Sequence, residues 1–140
     1  MVINADNGPE NSGVRSQWLK RLVEFSAQQE VKVQLAYYPP YHSKYNPIER
    51  VFGVLENYWN GDPLRTVRKA LEMAEGMTYN KVHPVAGLVT NIYPKGVKLS
   101  NRQRRLYEKA LDRLQDLNKW FITILPDKAK AVCLMAAQLD

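Results

Sequence analysis

The sequence has a single cysteine and no long apolar run, and each shortage excludes a class of protein. With only Cys133 among 140 residues, an internal disulfide is impossible, which suits a reducing compartment. The N-terminus lacks the basic start and apolar stretch of a signal peptide, and no segment reaches the roughly 20 apolar residues of a membrane span. One cysteine and two dispersed histidines, His42 and His83, also disfavour a structural zinc site. We therefore expect a cytoplasmic protein without a membrane partner.

An acidic excess is also lacking. The net charge is +6 and the sequence pI is about 9.5, in line with a polyanion partner. Lysines and arginines balance the carboxylates over residues 1–60, so the whole excess lies in residues 61–140. The hydrophobic fraction of 45% and charged fraction of 24% are those of one ordinary globular domain with a modest core. On charge alone, a merely soluble basic protein is as good an interpretation.

The first part of the chain predicts strands alternating with helices. Val2 and Ile3 begin a short strand that the turn-forming residues 6–9 end, and Ser12 offers an N-cap for a helix to about Gln28. Residues 31–37 alternate apolar and polar side chains, as in a strand with one wetter face, often an edge strand. The predicted apolar face of the first helix comprises Val14, Trp18, Leu22 and Phe25.

A compact helix start follows at residues 46–49. Asn46 can be the N-cap, Pro47 fits the first helical position, and Glu49 occupies the third position of a capping box. We expect the Asn60-Gly61-Asp62-Pro63 sequence to end this helix. Its apolar stripe comprises Ile48, Val51, Phe52, Leu55 and Trp59.

The second half reads as mainly helical. A helix is predicted from about residue 64 to residue 76, then an irregular stretch with Pro84 and Pro94. Residues 100–103 resemble a capping box that opens a helix to about Asn118, and residues 120–125 could form a strand. The residues from 127 onward could be a helix or a frayed tail. The order predicts an α/β fold in which helices cover a small sheet of two or three strands. The apolar face of the helix from residue 100 comprises Leu106, Ala110, Leu114 and Leu117.

Two carboxylates, Asp6 and Glu49, are candidates for metal-dependent phosphoryl transfer. Asp6 follows a strand and Glu49 lies in the first turn of a helix, so the two could converge if that helix packs beside that strand. Carboxylates from separate elements can hold Mg²⁺, which prefers oxygen ligands, and two such ions can assist attack on a phosphate backbone. Asp6 could instead be only a turn residue and Glu49 only a capping residue. Glu56, two turns beyond Glu49, could be a further ligand, although a solvated charge is the better interpretation.

The blocks around these carboxylates closely resemble the DDE transposases of bacterial insertion sequences. These are relatives of the mariner-like transposases with an RNase H-like integrase fold. The resemblance is strongest from Asn4 to Gly61 and continues more loosely to the region of Trp120. Its specific parts are Asp6-Asn7-Gly8-Pro9-Glu10-Asn11 and Tyr38-Pro39-Pro40-Tyr41-His42-Ser43-Lys44-Tyr45-Asn46-Pro47-Ile48-Glu49.

The resemblance implies catalytic, metal-binding roles for two residues. Asp6 matches the second catalytic aspartate, at the end of the fourth strand, and Glu49 matches the third acidic residue, on the helix after the fifth strand. In this family the carboxylates hold Mg²⁺ (or Mn²⁺) for DNA strand cleavage and strand transfer. The first aspartate would lie upstream of Asp6, and only five residues precede Asp6. We therefore expect the C-terminal part of an RNase H-like catalytic domain in residues 1–61, with a helical basic extension in residues 62–140.

A basic stripe is predicted on the helix that begins near residue 100, with Lys98 close by. Such a stripe suits sequence-independent phosphate contacts, although a solvated helix face is at least as good an interpretation. His42 and Lys44, in the loop before Glu49, could also touch phosphate or simply be solvated. The stripe comprises Arg102, Arg105, Lys109 and Arg113, and tyrosines that could stack on bases or act as packing anchors are Tyr37, Tyr38, Tyr41 and Tyr45.

Three hypotheses follow from the sequence. The leading one is a transposase catalytic-domain fragment, inactive or weakly active alone, with transposon ends and target DNA as partners. The second is a non-catalytic DNA-binding or assembly module that retains only the basic surface. The third is a product without selected function. A homo-oligomer and a pairing with the missing N-terminal part are both left open.

Overall fold

The computed structural model describes residues 1–39, 42 and 46–138, and these form an α/β fold. The strands predicted from Val2 and within residues 31–37 are confirmed, and the segment 120–125 contains a strand. Residues 126–136 form a helix rather than a frayed tail. The elements are β1 (Val2–Ala5), α1 (Ser16–Gln29), β2 (Val33–Tyr37), α2 (Pro47–Trp59), α3 (Val67–Gly76), α4 (Asn101–Glu108), β3 (Leu111–Arg113), β4 (Phe121–Ile124) and α5 (Pro126–Ala136).

The chain divides into two compact units. The first comprises Met1–Ser43 and Lys95–Asp140, and contains all four strands with α1, α4 and α5. The second is Lys44–Pro94, with α2 and α3. Among the described residues, none of the helices combines the length and apolarity that a bilayer crossing requires. The boundary predicted at residue 61 stays a prediction.

The sheet has four strands in the order β1-β2-β4-β3, more than the two or three that were predicted. β1 and β2 are parallel neighbours, joined through α1, with Val2 opposite Gln34. β4 runs antiparallel to both β2 and β3. Two strands therefore lie in the second half of the chain, which was predicted to be mainly helical.

β2 is an interior strand. Its predicted alternation is confirmed, since Val33, Leu35 and Tyr37 are buried and the residues between them are half-buried. The prediction of an edge position is wrong, because β4 pairs with the side of β2 that β1 leaves open. That partner arrives from residues 121–124, far along the chain, where local alternation carries no information about it.

Helices α1, α4 and α5 supply the core against the buried face of the sheet. α1 buries Leu19, Leu22 and Val23. Of the predicted apolar face only Leu22 is buried; Val14 and Phe25 are exposed. The sequence therefore predicted the wrong apolar face for this helix. The other core members come from the strands, from α4 and α5, and from the turn between α4 and β3; they are Ala5, Val33, Leu35, Tyr37, Leu106, Tyr107, Ala110, Leu111, Ile122, Ile124, Ala129, Val132 and Ala136.

Helix α1 begins later than predicted. Ser12 is not its N-cap: α1 starts at Ser16, and Ser12 accepts the amide of Arg15 in a preceding turn. In the turn before α1, Gly13 is buried against the backbone of Lys119. A Cβ built on Gly13 would lie 2.3 Å from the Lys119 carbonyl oxygen, so this position needs glycine.

Helix α4 begins as predicted and ends early. The Ser100 hydroxyl accepts the Gln103 amide, and the Gln103 side chain accepts the Ser100 amide, which confirms the capping box. The helix stops at Glu108 instead of continuing to Asn118, because Leu111–Arg113 pairs with β4. Leu106 and Ala110 are buried, whereas Leu114 and Leu117, beyond the helix, are exposed.

The second unit is built on α2 and α3, which contact each other. The Thr66 hydroxyl caps α3 by accepting the Lys69 amide. Asn60 ends α2 and Gly61 has a φ of 89°, as the turn sequence predicted. Neither helix of this unit has a buried residue, so the apolar stripe of α2 stays exposed or half-exposed.

Candidate active site

Asp6 lies directly after β1, at the start of a loop that folds back on its carboxylate. The Gly8 amide donates a hydrogen bond of 3.1 Å to Oδ1, as in an Asx turn. The Asn11 side-chain amide donates a second bond of 2.9 Å to the same oxygen. The bond from Asn11 contributes most, and the bond from Gly8 next, to holding the pKa of Asp6 below its usual value. Asp6 is therefore an exposed, ionised carboxylate with a fixed orientation.

The loop carrying Asn11 is tied to the sheet and to α1. The Tyr37 hydroxyl donates a bond of 2.6 Å to the Asn11 backbone carbonyl, and the Trp18 indole nitrogen donates one of 3.2 Å to that hydroxyl. Burial raises the pKa of Tyr37, so its hydroxyl stays protonated and able to donate. Tyr37 is thus a packing anchor, not a surface for base stacking.

A second set of hydrogen bonds joins the loop to Arg113, in the second half of the chain. The Gly13 amide donates a 3.0 Å bond to the Asn7 side-chain oxygen, and Arg113 Nη1 donates a 2.9 Å bond to the Gly13 carbonyl. Arg113 also donates to the Asn118 carbonyl at 2.8 Å and forms a two-pronged ion pair with Glu108. The loop after Asp6 is consequently held at both its ends.

Glu49 lies in the first turn of α2 with an exposed side chain. Asn46 is the N-cap and Pro47 the first helical residue, as predicted. Asn46 Oδ1 accepts the Ile48 amide at 3.4 Å. Among the described residues, no hydrogen bond joins the Glu49 carboxylate to the Asn46 amide, so the reciprocal capping box is not formed. The carboxylate is left available, and Glu56, two turns further, is exposed too.

The two candidate ligands belong to different units, Asp6 to the first and Glu49 to the second. Each is therefore described within its own unit. Within residues 1–39, 42 and 46–138, no group of three His, Cys, Asp or Glu side chains is arranged to hold a metal ion. Each unit thus offers one of the two predicted carboxylate ligands.

Three of the predicted basic residues surround one depression. Arg102, Arg105 and Lys109 line a cavity of about 540 Å³ beside Gln138, at the end of α5. Arg113 does not belong to this group: it lies on β3, so the four residues do not form the single helical stripe that was predicted. Its guanidinium is engaged in the contacts described above. Three of the four residues of the predicted stripe therefore share one depression.

Lys98 lines a separate cavity of about 220 Å³ with Arg15 and Arg104. His42 is exposed, and its amide donates to the Pro39 carbonyl at 3.1 Å. Lys44, Tyr41 and Tyr45 lie outside the described residues. The predicted DNA contacts of the first unit thus fall on more than one patch.

Comparison with protein families decides the ancestry. The family described as Rhodopirellula transposase DDE domain matches residues 1–126. The chain belongs to this transposase DDE domain family. Comparisons with curated proteins and with solved structures gave no match. The match covers Asp6, Glu49 and the whole sheet. DDE transposases act on DNA and generally use divalent metal ions, so the family gives the two carboxylates a chemical context.

Sequence reasoning assigned no role to Asn11, Tyr37's hydroxyl or Arg113's contacts with the Asp6 loop. Asn11 lay within the motif that carried the resemblance, and its side chain is a suitable donor to a nearby carboxylate. That signal identifies the residue but not its partner. The Tyr37 and Arg113 contacts span 26 and 100 residues along the chain, and no local pattern marks them.

Proposed function

We propose that this transposase domain uses Asp6 and Glu49 to hold Mg²⁺ (or Mn²⁺) for DNA strand cleavage and strand transfer in the cytoplasm. The observation that carries the proposal is the state of Asp6, an exposed carboxylate oriented by two hydrogen bonds on one oxygen. Its lowered pKa favours the ionised form, which is the form that binds a metal ion.

Both carboxylates fit a hard divalent cation by their chemistry. Mg²⁺ is usually bound through one or two carboxylates together with water and phosphate oxygens. The hydrogen bonds from Gly8 and Asn11 end on Oδ1 of Asp6, so Oδ2 is the oxygen we assign to the metal. Glu49 adds an exposed carboxylate at a helix N-terminus, where the partial positive charge also favours a DNA phosphate. When bound, the metal would activate the attacking oxygen and stabilise charge on the leaving oxygen.

The parallel pair of strands supports the RNase H-like assignment. Asp6 directly follows β1, which leads through α1 into the parallel strand β2, so this βαβ arrangement places Asp6 at the carboxyl edge of the pair. We assign β1 and β2 to the fourth and fifth strands of that fold. On this assignment the helix that carries Glu49 follows the fifth strand, as the family pattern requires.

We assign DNA contact to basic residues that the sequence identified. Arg102, Arg105 and Lys109 share one depression and can bind phosphates without reading sequence. Lys98 lies on a second patch, and His42 and Lys44 precede the Glu49 helix. Because the carboxylates identified number two where the family uses three, we expect the chain alone to cleave DNA weakly or not at all.

A titration with Mn²⁺ tests the ligand assignment. Mn²⁺ broadens amide resonances near its site, so broadening of Asn7 and Gly8 reports binding at Asp6. We expect Asp6→Asn to abolish this broadening and Glu49→Gln to reduce the total affinity measured by calorimetry. Glu56→Gln, a matched change on the same helix, should leave both readouts unchanged. Equal affinity in the wild type, Asp6→Asn and Glu49→Gln would refute the assignment.

A second candidate is a non-catalytic DNA-binding or assembly module. The depression lined by Arg102, Arg105 and Lys109 favours it, because this surface is independent of the carboxylates. It predicts salt-sensitive duplex binding that Asp6→Asn leaves unchanged. Alanine at each of the three cations should lower the affinity, and each lost phosphate contact should reduce the salt slope by about 1. If the chain shows no measurable duplex binding at low salt, this candidate function is ruled out.

A further inference from the structure

The contacts around Asn11 give this residue a task that neither the family match nor the two-carboxylate proposal assigns. We propose that Asn11 is a positioning residue, which fixes the Asp6 carboxylate so that Oδ2 is presented to a divalent cation. The inference rests on the proposed role of Asp6 as a metal ligand.

The direct contact is the hydrogen bond of 2.9 Å from Asn11 Nδ2 to Asp6 Oδ1. An ionised carboxylate only accepts hydrogen bonds, so the amide nitrogen of Asn11, rather than its oxygen, must face it. The Gly8 amide occupies the same Oδ1 at 3.1 Å. With two donors on Oδ1, rotation of the carboxylate about its Cβ–Cγ bond would break both contacts, which leaves Oδ2 as the outward oxygen.

The backbone of Asn11 is itself held in place by a buried tyrosine. Its backbone carbonyl accepts a 2.6 Å bond from the Tyr37 hydroxyl, which in turn accepts from the Trp18 indole at 3.2 Å. Tyr37 is 8% exposed and ends β2, the interior strand. The position of Asn11 is therefore set by the packed sheet and α1, not by the loop alone. Replacing a residue that hydrogen-bonds to a metal ligand typically lowers metal affinity 10- to 100-fold.

The side-chain oxygen of Asn11 supports the same orientation. Asn11 Oδ1 is buried, and no described residue donates a hydrogen bond to it. Leaving a buried acceptor unpaired is unfavourable, so this amide is not placed for its own stability. Its nitrogen satisfies Asp6 instead, as expected if the carboxylate's geometry decides the arrangement.

The experiment uses the whole chain and the Mn²⁺ ion alone. Binding is followed by paramagnetic broadening of the Asn7 and Gly8 amide resonances. We expect Asn11→Ala to weaken Mn²⁺ binding by about 10- to 100-fold. Tyr37→Phe removes only one hydroxyl and leaves both site side chains intact, and it should weaken binding by a smaller factor. It also serves as the test if Asn11→Ala does not fold.

A stability control separates positioning from general loosening. Ser26 is buried in α1 and donates to the Val31 carbonyl at 2.7 Å, so Ser26→Ala should destabilise the fold. We expect its Mn²⁺ affinity to equal that of the wild type. If Ser26→Ala and Asn11→Ala lose affinity in proportion to their loss of stability, Asn11 is structural and the inference fails.

Asp6→Asn distinguishes the two proposals. If it removes the broadening while Asn11→Ala and Tyr37→Phe bind as the wild type does, Asp6 remains a ligand and the positioning role is refuted. If Asp6→Asn itself binds as the wild type does, the ligand assignment fails, and the positioning role fails with it.

Discussion

Arg113 Nη1 lies 2.9 Å from the Gly13 carbonyl oxygen, although the two residues are 100 positions apart in the chain. The contact joins the β3 strand to the loop that follows Asp6. It gives Arg113 a structural task, and it connects the folding of the last third of the chain to the geometry around Asp6.

Replacing Arg113 should lower stability. Arg113→Ala removes two bonds to backbone carbonyls and an ion pair with Glu108, and the Arg113 side chain is 21% exposed. We expect the free energy of unfolding to fall by about 1–3 kcal/mol, measured by urea denaturation. Arg102→Ala, a matched change on α4, should leave stability unchanged within about 0.5 kcal/mol. Equal effects of the two changes would contradict the assigned role.

Gly13 should not tolerate a side chain. In Gly13→Ala the new Cβ would meet the Lys119 carbonyl oxygen at 2.3 Å, and backbone must shift to relieve the clash. A loss of about 1–3 kcal/mol in the free energy of unfolding is expected. The control is Gly53→Ala in α2, where a Cβ meets nothing within 4 Å. That helical change should be neutral or stabilising by up to about 1 kcal/mol. The same sign of effect at both glycines would argue against the close approach.

The pKa of Asp6 predicts a loss of stability in acid. Its folded-state pKa lies below the usual 3.8, so its ionised form stabilises the fold above that value. This contribution disappears as the pH falls through the lower, folded-state pKa. The difference in unfolding free energy between the wild type and Asp6→Asn should therefore shrink as the pH is lowered below the usual pKa of 3.8 and through the folded-state pKa. A difference that stays constant over this range would show that the two hydrogen bonds do not favour the ionised form.

Tyr37 predicts a loss of stability in alkali. Burial raises its folded-state pKa above the usual 10.0, so the buried phenol stays neutral in the fold while the unfolded chain ionises. The stability that the neutral phenol contributes is fully present below pH 10, and it declines as the pH rises through and beyond that value. Tyr37→Phe should show a smaller decline than the wild type in urea denaturation repeated at rising pH. Identical declines would mean that other groups dominate.

The sequence predicted those parts of the fold that depend on nearby residues. The alternation of residues 31–37 predicted β2, and Ser100 with Gln103 predicted the start of α4, because each pattern is complete within a few residues. The interior position of β2 and the early end of α4 could not be predicted, since both depend on β4, which pairs from elsewhere in the chain. Helical spacing continued through Leu114 although strand pairing prevailed there.

The candidate site divides in the same way. Asp6 and Glu49 were identified by their motifs, and the turn at Gly8 follows from the Asp-Asn-Gly sequence. The roles of Asn11, Tyr37 and Arg113 depend on contacts that only the folded backbone creates. Tertiary packing, rather than local sequence, therefore determines how firmly the Asp6 carboxylate is oriented.

The interior position of β2 has a consequence for synthesis on the ribosome. Its second neighbour, β4, ends at Ile124, and the loop after Asp6 is fixed by Arg113 and packed against Lys119. A nascent chain that has just exposed Asp6, α1 and β2 lacks all of these partners. The contacts of the Asp6 loop with Arg113 and Lys119 can form only after translation has passed residue 119. Pauses before β4 is made would prolong a state in which one side of β2 is unpaired.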